Sequence, residues 1–483
     1  MKTHETLKSD NKPYKIFIDA RLMFYAGIGR YQREFILNVL KNNTNNENNK
    51  INAKNEINLK FYLLGDKNKI NQFISSNDLP EDKFIVINNT SKKYSFKEQF
   101  SLFFILLYYR KKIDLFFFPH YNISIFYIPK NSIVTVHDLT FYKFYNYTDT
   151  GKFKTAVGKF VLKRVLKKTK KAITVSNYVK NDIINMFSNI GGLNLQNKIK
   201  VIYPGYSLFF SSHADKNITY AIKDNAIKEI DGAGDTGDAE YKYKSYKKKF
   251  NFDNKLPDRL KQNISYPYIL YLGNRKKHKN ILNLIKAFKL IKDIPQNHKN
   301  NQLDIKIDIK NKVNNDNDNK DSYKNMSIGN TYELCENFQN LKLVLIGSRF
   351  KKYDFIDEFI KKENIGDIIQ LSNISDEEAK VYYENTKAFT FISISEGFGF
   401  APLEAAVCGA PLILANAGAL PEVFKDAALF VDPFNIEDIA DSIKKVLTDE
   451  NLRNDLKKKS LALSNKYSYK KMASEMLDYF ICD

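Results

Sequence analysis

Short apolar runs alternate with helix-period segments along this chain, and halfway through the alternation starts again. Seven runs come first: "YKIFID" (14–19), "LKFYLLG" (59–65), "KFIVIN" (83–88), "DLFFFP" (114–119), "SIVTVHD" (132–138), "KAITVS" (171–176) and "IKVIYPG" (199–205). Between them a helix pattern runs from about Gly29 to Leu40, and amphipathic stretches occupy 96–111, 150–170 and 177–188. Six more runs follow: "PYILYLG" (267–273), "LKLVLIG" (341–347), "IIQLSN" (368–373), "AFTFISIS" (388–395), "PLILAN" (411–416) and "AALFVD" (427–432), then helical periodicity over 435–463. Strands that are apolar on both faces and joined by helices belong in a parallel sheet covered on both sides. At 483 residues the chain is too long for one core. The expected fold class is therefore α/β, with two Rossmann-like domains. The expected limits are a polar tail (1–13), a first domain (14–208), a polar insert (209–265) and a second domain (266–467). Three stretches, 41–57, about 209–263 and about 295–338, are polar and poor in core residues, and read as loops. Ligands of such sheets bind at the carboxyl ends of the strands, so the cleft between two of them is the default site.

One strand-to-helix turn concentrates chemistry. "SEGFGFAPLEAAVCGAP" (395–411) holds Glu396 in the turn and Glu404 in the helix that follows, with Pro402 at the helix start. Gly397 and Gly399 let a ligand approach the backbone. Free N–H groups and the positive dipole end of the helix suit a phosphate. A carboxylate accepts two hydrogen bonds at once and so matches the vicinal diol of a ribose or hexose. Glu404 as a plain helix-start acid and Glu396 as a solvated loop residue is the alternative.

Charge narrows the partners. Lys and Arg number 76 against 55 acids, net +21, which favours nucleic acid, an acidic membrane or phosphorylated small molecules. No RRM, KH or helix-turn-helix pattern appears, so nucleic acid is not expected. The three cysteines (Cys335, Cys408, Cys482) lie far apart, and the six histidines form no ligand cluster. No zinc site, metal or disulfide framework is expected, and a reducing, cytoplasmic setting is. The N-terminus lacks a signal-peptide core, and the longest apolar run, "FSLFFILLYY", is too short to span a bilayer. From Lys152 to Lys171 there are nine basic residues and no acid, with Phe153, Val157, Phe160, Val161 and Val165 at helical spacing. That pattern suits either a packed helix with a solvated basic face or a helix docked on an anionic membrane.

"EGFGFAPLE" resembles the E-x7-E signature of the family 4 glycosyltransferases, which have the GT-B fold. "YILYLGNRKKHKNILNLIKAF", "KLVLIGS", "IIQLSNISDEEAKVYY" and "GALPEVFKDAALFVDP" resemble that family's C-terminal domain, in order. "AGIGRY", "FFFPHYN", "TVHDLTFY", "AITVSNYVKNDI" and "KVIYPG" resemble its N-terminal domain. The resemblance implies transfer of a hexose, with retention, from a nucleoside-diphosphate sugar (GDP-mannose or a UDP-sugar) to a glycan or lipid-linked acceptor. No cofactor or essential metal is implied. It places Lys279 at the diphosphate with Arg275 assisting. Asn274 stands where many members have arginine. Glu404 falls on the ribose, Glu396 on the transferred sugar, and the Gly397–Phe398–Gly399 backbone beside sugar and phosphate. His137 approaches the sugar from the first domain, although a His137–Asp138 pair is also a plain structural arrangement. Gly27 and Gly29 line the cleft or simply form a tight helix start, and His120 lies on the acceptor side. A final helix, 468–483, crosses back to the first domain.

Rival readings fit less well. A Rossmann dehydrogenase would need a third glycine where Gln32 stands. The metal-dependent sugar-transferase motif D-x-D occurs only as Asp316 and Asp318, within an Asn/Asp tract without a strand. A catalytically inactive GT-B scaffold or glycan-binding protein remains the alternative to an enzyme.

Overall fold

The structure is a computed structural model and describes residues 12–44, 57–91, 95–144, 151–188, 194–207, 209–210, 258–293, 338–348 and 354–481. The three polar stretches fall almost wholly outside these residues, as do Asp316, Asp318, Cys335 and Cys482.

Among the described residues, thirteen strands form two sheets. The first holds β1 (Tyr14–Asp19), β2 (Leu59–Gly65), β3 (Phe84–Asn88), β4 (Leu115–Phe118), β5 (Ser132–Val136), β6 (Lys171–Thr174) and β7 (Ile199–Val201), in the order β3-β2-β1-β4-β5-β6-β7. The second holds β8 (Tyr268–Leu272), β9 (Lys342–Ile346), β10 (Ile368–Leu371), β11 (Ala388–Phe391), β12 (Leu412–Ala415) and β13 (Ala428–Val431), in the order β10-β9-β8-β11-β12-β13. Every pairing is parallel. Central strands β4, β5, β11 and β12 are buried at every position, which accounts for their lack of polar alternation. The strand order reverses between β1 and β4 and again between β8 and β11, and such reversals open a crevice at the carboxyl edge. The loops after those strands carry most of the residues singled out above.

The helices that matter below are α1 (Ala26–Thr44), α2 (Phe96–Tyr109), α3 (Lys152–Lys168), α4 (Asn177–Met186), α5 (Ile281–Lys292), α6 (Asp376–Asn385), α7 (Phe400–Val407) and α8 (Leu420–Phe424). The helical stretch 435–463 is two helices, α9 (Ile436–Thr448) and α10 (Glu450–Ala462). They break at Asp449, whose side chain accepts from Leu452 N at 2.9 Å and starts the second. Pro402 is the third residue of α7 rather than the first; it still lies in the first turn, where no intrahelical N–H bond is lost.

The last helix, α11 (Tyr469–Ile481), leaves the second domain and packs along α1 of the first. Phe480 sits 5.4 Å from the Phe35 ring and 4.8 Å from Phe117, and Tyr31 Oη donates to Met476 Sδ at 3.3 Å. Removing a buried phenyl ring that fills such a contact costs about 3–5 kcal/mol. Phe480→Ala is therefore expected to lower the unfolding free energy by about 3 kcal/mol in urea titrations. A loss under about 1 kcal/mol would show that α11 does not hold the first domain.

Candidate active site between the two sheets

The loops at the carboxyl ends of the two sheets meet each other. β5 stops at Val136, and His137 turns its carbonyl towards the turn after β11. A Cβ on Gly397 would lie 1.8 Å from His137 O, so only glycine permits this approach. Ser176, just after β6, donates from Oγ to Gly397 O at 2.7 Å. Thr140 and Ser395 share a hydroxyl hydrogen bond at 3.0 Å. Glu422 of α8 accepts from the backbone N–H groups of Asn177 (2.8 Å) and Tyr178 (2.7 Å) and from Tyr203 Oη (2.6 Å). A carboxylate of one domain thus satisfies the open N-terminus of α4 in the other.

Two acid–base pairs occupy this seam. Lys279 ends a single 3₁₀ turn, and its Nζ lies 2.5 Å from Glu396 Oε1 and 5.0 Å from the Phe391 ring centre. The loop holding it is tied to the β11 turn, because His278 O accepts from Ile394 N (2.9 Å) and Ser393 Oγ (3.1 Å). From the far side Glu396 O accepts from Ala419 N at 3.0 Å, which fixes the backbone carrying the acid. The second pair crosses between domains. Arg30 of α1 donates from Nη1 to Glu404 Oε1 and from Nη2 to both oxygens of Asp376 at 3.0 and 3.1 Å. Glu404 is buried, and Tyr383 Oη approaches its other oxygen at 3.5 Å. Burial pushes the Glu404 carboxyl up to about 7, with Arg30 pulling the other way. Burial also works against the Arg30 charge, but Glu404 and Asp376 more than offset it and hold the guanidinium above its ordinary value.

Of the residues singled out in the sequence, Lys279, Glu396, Gly397 and His137 come together, and Glu404 lies one helical turn further on, at the seam. The His137 ring turns inward: Nε2 donates to Pro119 O at 2.8 Å, and Tyr31 packs edge-on at 5.0 Å. Burial lowers its pKa, so it is neutral, and its buried Nδ1 has no partner among the described residues. Gly399 takes a positive φ of 103° just before α7, while the buried Phe398 ring packs edge-on against Tyr467 and Phe400. Gly27 lies against the Phe400 ring across the seam, and Gly29 packs on the Met23 carbonyl inside its own domain. Asn274 shapes its loop, accepting from Tyr271 Oη through its carbonyl (2.8 Å) and from Lys276 N through its side chain (3.3 Å). Arg275 is not brought to the Lys279–Glu396 pair. Its buried guanidinium is committed to Asp357 (3.0 Å) and Asp354 (3.3 Å), because a charge inside the domain needs counter-charges there. His120 lies apart, accepting from Asn122 N at 3.1 Å and lining a small cavity with Asp19, Arg21, Leu22 and Glu98.

Sequence reasoning missed Arg30, Asp376, Ser176 and Glu422. Arg30 had a signal: a cation in the second turn of α1, where no acid occupies the first turn, opposes the helix dipole. Such a residue is placed there by a partner elsewhere.

Two facing domains with parallel sheets and a site at their carboxyl edges are the GT-B architecture. Residues 323–462, which lie within the second domain, match the family described as Glycosyl transferases group 1. Among curated relatives, O-antigen chain mannosyltransferase B of Escherichia coli is 30% identical over 139 residues, 29% of this chain and 36% of that protein. The serotype-specific mannosyltransferase WbdA of Escherichia coli is 36% identical over 107 residues, 22% of this chain and 13% of that one. The chain thus spans well under half the length of these relatives. Among solved structures, Anabaena HepE in complex with UDP and glucose superposes with a TM-score of 0.60 at 12% identity, covering 96% of this chain and 99% of that one, a likeness of fold.

Two outcomes follow from this geometry. Gly397→Ala should force the domains apart, because the obstacle is a backbone carbonyl; small-angle scattering should show a larger radius of gyration with both domains still folded. An unchanged radius would mean that the seam gives way without opening. Glu404 has a folded-state pKa above the 4.5 of an exposed glutamic acid. It therefore contributes stability fully present below pH about 4.5 and lost as pH rises through about 7. Relative to Glu404→Gln, the wild type should lose urea resistance across that window. A constant difference would contradict the raised value.

Proposed function

We propose that this chain is a retaining hexosyltransferase. It takes a hexose from a nucleoside-diphosphate sugar, GDP-mannose or a UDP-sugar, and gives it to a glycan or lipid-linked acceptor in cell-surface polysaccharide assembly in the cytoplasm. The observation that carries the reading is the Lys279–Glu396 contact at 2.5 Å, set in the turn before α7 with first-domain backbone against it. The names of the mannosyltransferase relatives support the choice of reaction.

On this reading, breaking the anomeric C–O bond leaves charge on the diphosphate. Lys279 shifts from Glu396 to that diphosphate and stabilises it as the bond breaks, together with the N-terminal N–H groups of α7. Glu396, released from the lysine, accepts hydroxyls of the transferred sugar. Glu404 accepts the ribose diol in place of Arg30. The unpartnered Nδ1 of His137 would accept from a sugar hydroxyl if donor binding opened the seam over its buried ring. No essential metal enters the scheme.

Lys279→Ala should lower kcat on the order of 10²–10³-fold, with donor affinity falling less, since the contact strengthens in the transition state. Turnover near wild type would place Lys279 outside the site. Glu404→Ala should weaken free nucleotide and sugar nucleotide alike, whereas Glu396→Ala should spare the free nucleotide. Calorimetry with both ligands separates the two acids, and matching profiles would contradict the division. Nucleotide binding without any turnover, across a panel of donors and acceptors, would favour the scaffold.

A further inference from the structure

Helix α2 is apolar on nearly every side, a pattern that normally marks a buried helix. Its inner face is conventional, with Glu98, Leu102 and Leu106 buried. Its outer face is not. Phe96, Phe100, Phe104 and Tyr108 recur every fourth residue as a stripe, and they are 83%, 50%, 63% and 63% exposed. Around the stripe stand Lys97, Arg110, Lys111 and Lys112, all exposed, with Lys112 Nζ 3.4 Å from the Tyr108 ring centre. The one acid of this stretch, Glu98, turns inward to Arg21.

Helix α3 repeats the design. Leu162, Val165 and Leu166 pack on the domain, while Phe153 and Phe160 are 81% and 64% exposed beside Val157 and the lysines. The five apolar positions at helical spacing are therefore divided, and Phe153, Val157 and Phe160 lie outside. The two helices share a surface. Arg164 Nε of α3 donates to Ile125 O at 2.7 Å, and the next residue, Phe126, stacks on Phe100 of α2 at 4.9 Å.

We infer that α2, α3 and Phe126 form one docking face for an anionic lipid surface. The aromatic rings enter the headgroup–acyl boundary and the lysines and arginines meet lipid phosphates. Exposed apolar groups ringed by cations fit that boundary. Charge argues against a second copy as the occupant, since two such faces would set like charges together. The face also backs onto the cleft. Glu98 of α2 holds Arg21, which follows β1, and α3 packs its Gly158 against the Tyr142 ring, four residues after Asp138. A bilayer on this face would bring a lipid-linked acceptor to the first-domain wall of the cleft. That last step rests on the functional reading above; the docking face does not.

The chain contains no tryptophan, so a single reporter has no background. Phe104→Trp and Phe160→Trp, made separately, should each show a blue shift with mixed phosphatidylglycerol–phosphatidylcholine vesicles, and quenching when the acyl chains are brominated. Pure phosphatidylcholine should give neither, and rising salt should reverse both. In cosedimentation of the otherwise native chain, Phe100→Ser with Phe104→Ser should lower partitioning at least about tenfold. Each of Lys163→Ala and Lys167→Ala should lower it about fivefold. Donor hydrolysis without vesicles should survive all four changes. Absence of sedimentation at low salt overturns the inference. So does sedimentation with both indoles still in water, or a blue shift that grows with protein concentration alone, which would mark self-association. Vesicle insertion by a protein that hydrolyses no donor would count against the functional reading and leave the docking face standing.

Discussion

A carboxylate buried at a domain seam has to be neutralised, and Glu404 is neutralised from the other domain. Leaving such a charge without a partner costs about 3–5 kcal/mol, so Arg30 and Glu404 bind the positions of α1 and α7 to each other. The rest of the seam follows from that registration. With α1 against α7, Gly27 meets Phe400, His137 O meets Gly397, and Ser176 reaches the same turn. Glu422 then comes within reach of the N-terminus of α4, where it accepts from Asn177 N and Tyr178 N while Ser176 Oγ accepts from Val179 N. Helix α11 closes the arrangement from behind by packing Phe480 between Phe35 and Phe117.

The strands were legible because a parallel strand between two helical layers must be apolar throughout, and few other elements are. Their ends were not. "SIVTVHD" and "AFTFISIS" read as strands to their last residues, yet β5 ends at Val136 and β11 at Phe391. What stops them is the other domain: His137, Ser395 and Gly397 spend their backbone and hydroxyl groups across the seam, and that information is not local. The same distance hides Arg30 from Glu404, 374 positions away.

Lys279 and Glu396 stood out as charged residues in loops after strands, and Glu404 as an acid in the helix behind the turn, and the family resemblance singled out all three. Arg275, in the same basic loop, was expected to assist Lys279. The difference lies in Asp354 and Asp357, one before and one within a helix, which capture the guanidinium from a segment with no motif. For α2, the apolar residues alone could not say which side faced the protein. The buried Glu98 decides it, since that acid must reach Arg21 and so turns the phenylalanine stripe outward.

The two ion pairs of the seam also make sense of a site rich in charge and held shut. Each acid assigned to a sugar already has a cation: Lys279 on Glu396, Arg30 on Glu404. A nucleotide sugar brings two phosphate charges and several hydroxyls, which is what the separated partners of both pairs would need. On the proposed reading Lys279 would trade a carboxylate for a phosphate and keep a counter-charge, whereas Glu396 would trade an ammonium for hydroxyl donors, which hydrogen-bond its charge without neutralising it. For Lys279 that exchange avoids the cost of baring an ion, which an unpaired residue would meet before any ligand arrived. The same logic makes Arg30 more than a clasp. On the proposed reading, in which a ribose takes Glu404, the guanidinium would keep Asp376 and stay at the seam, so closure and donor binding would use one residue and need not oppose each other.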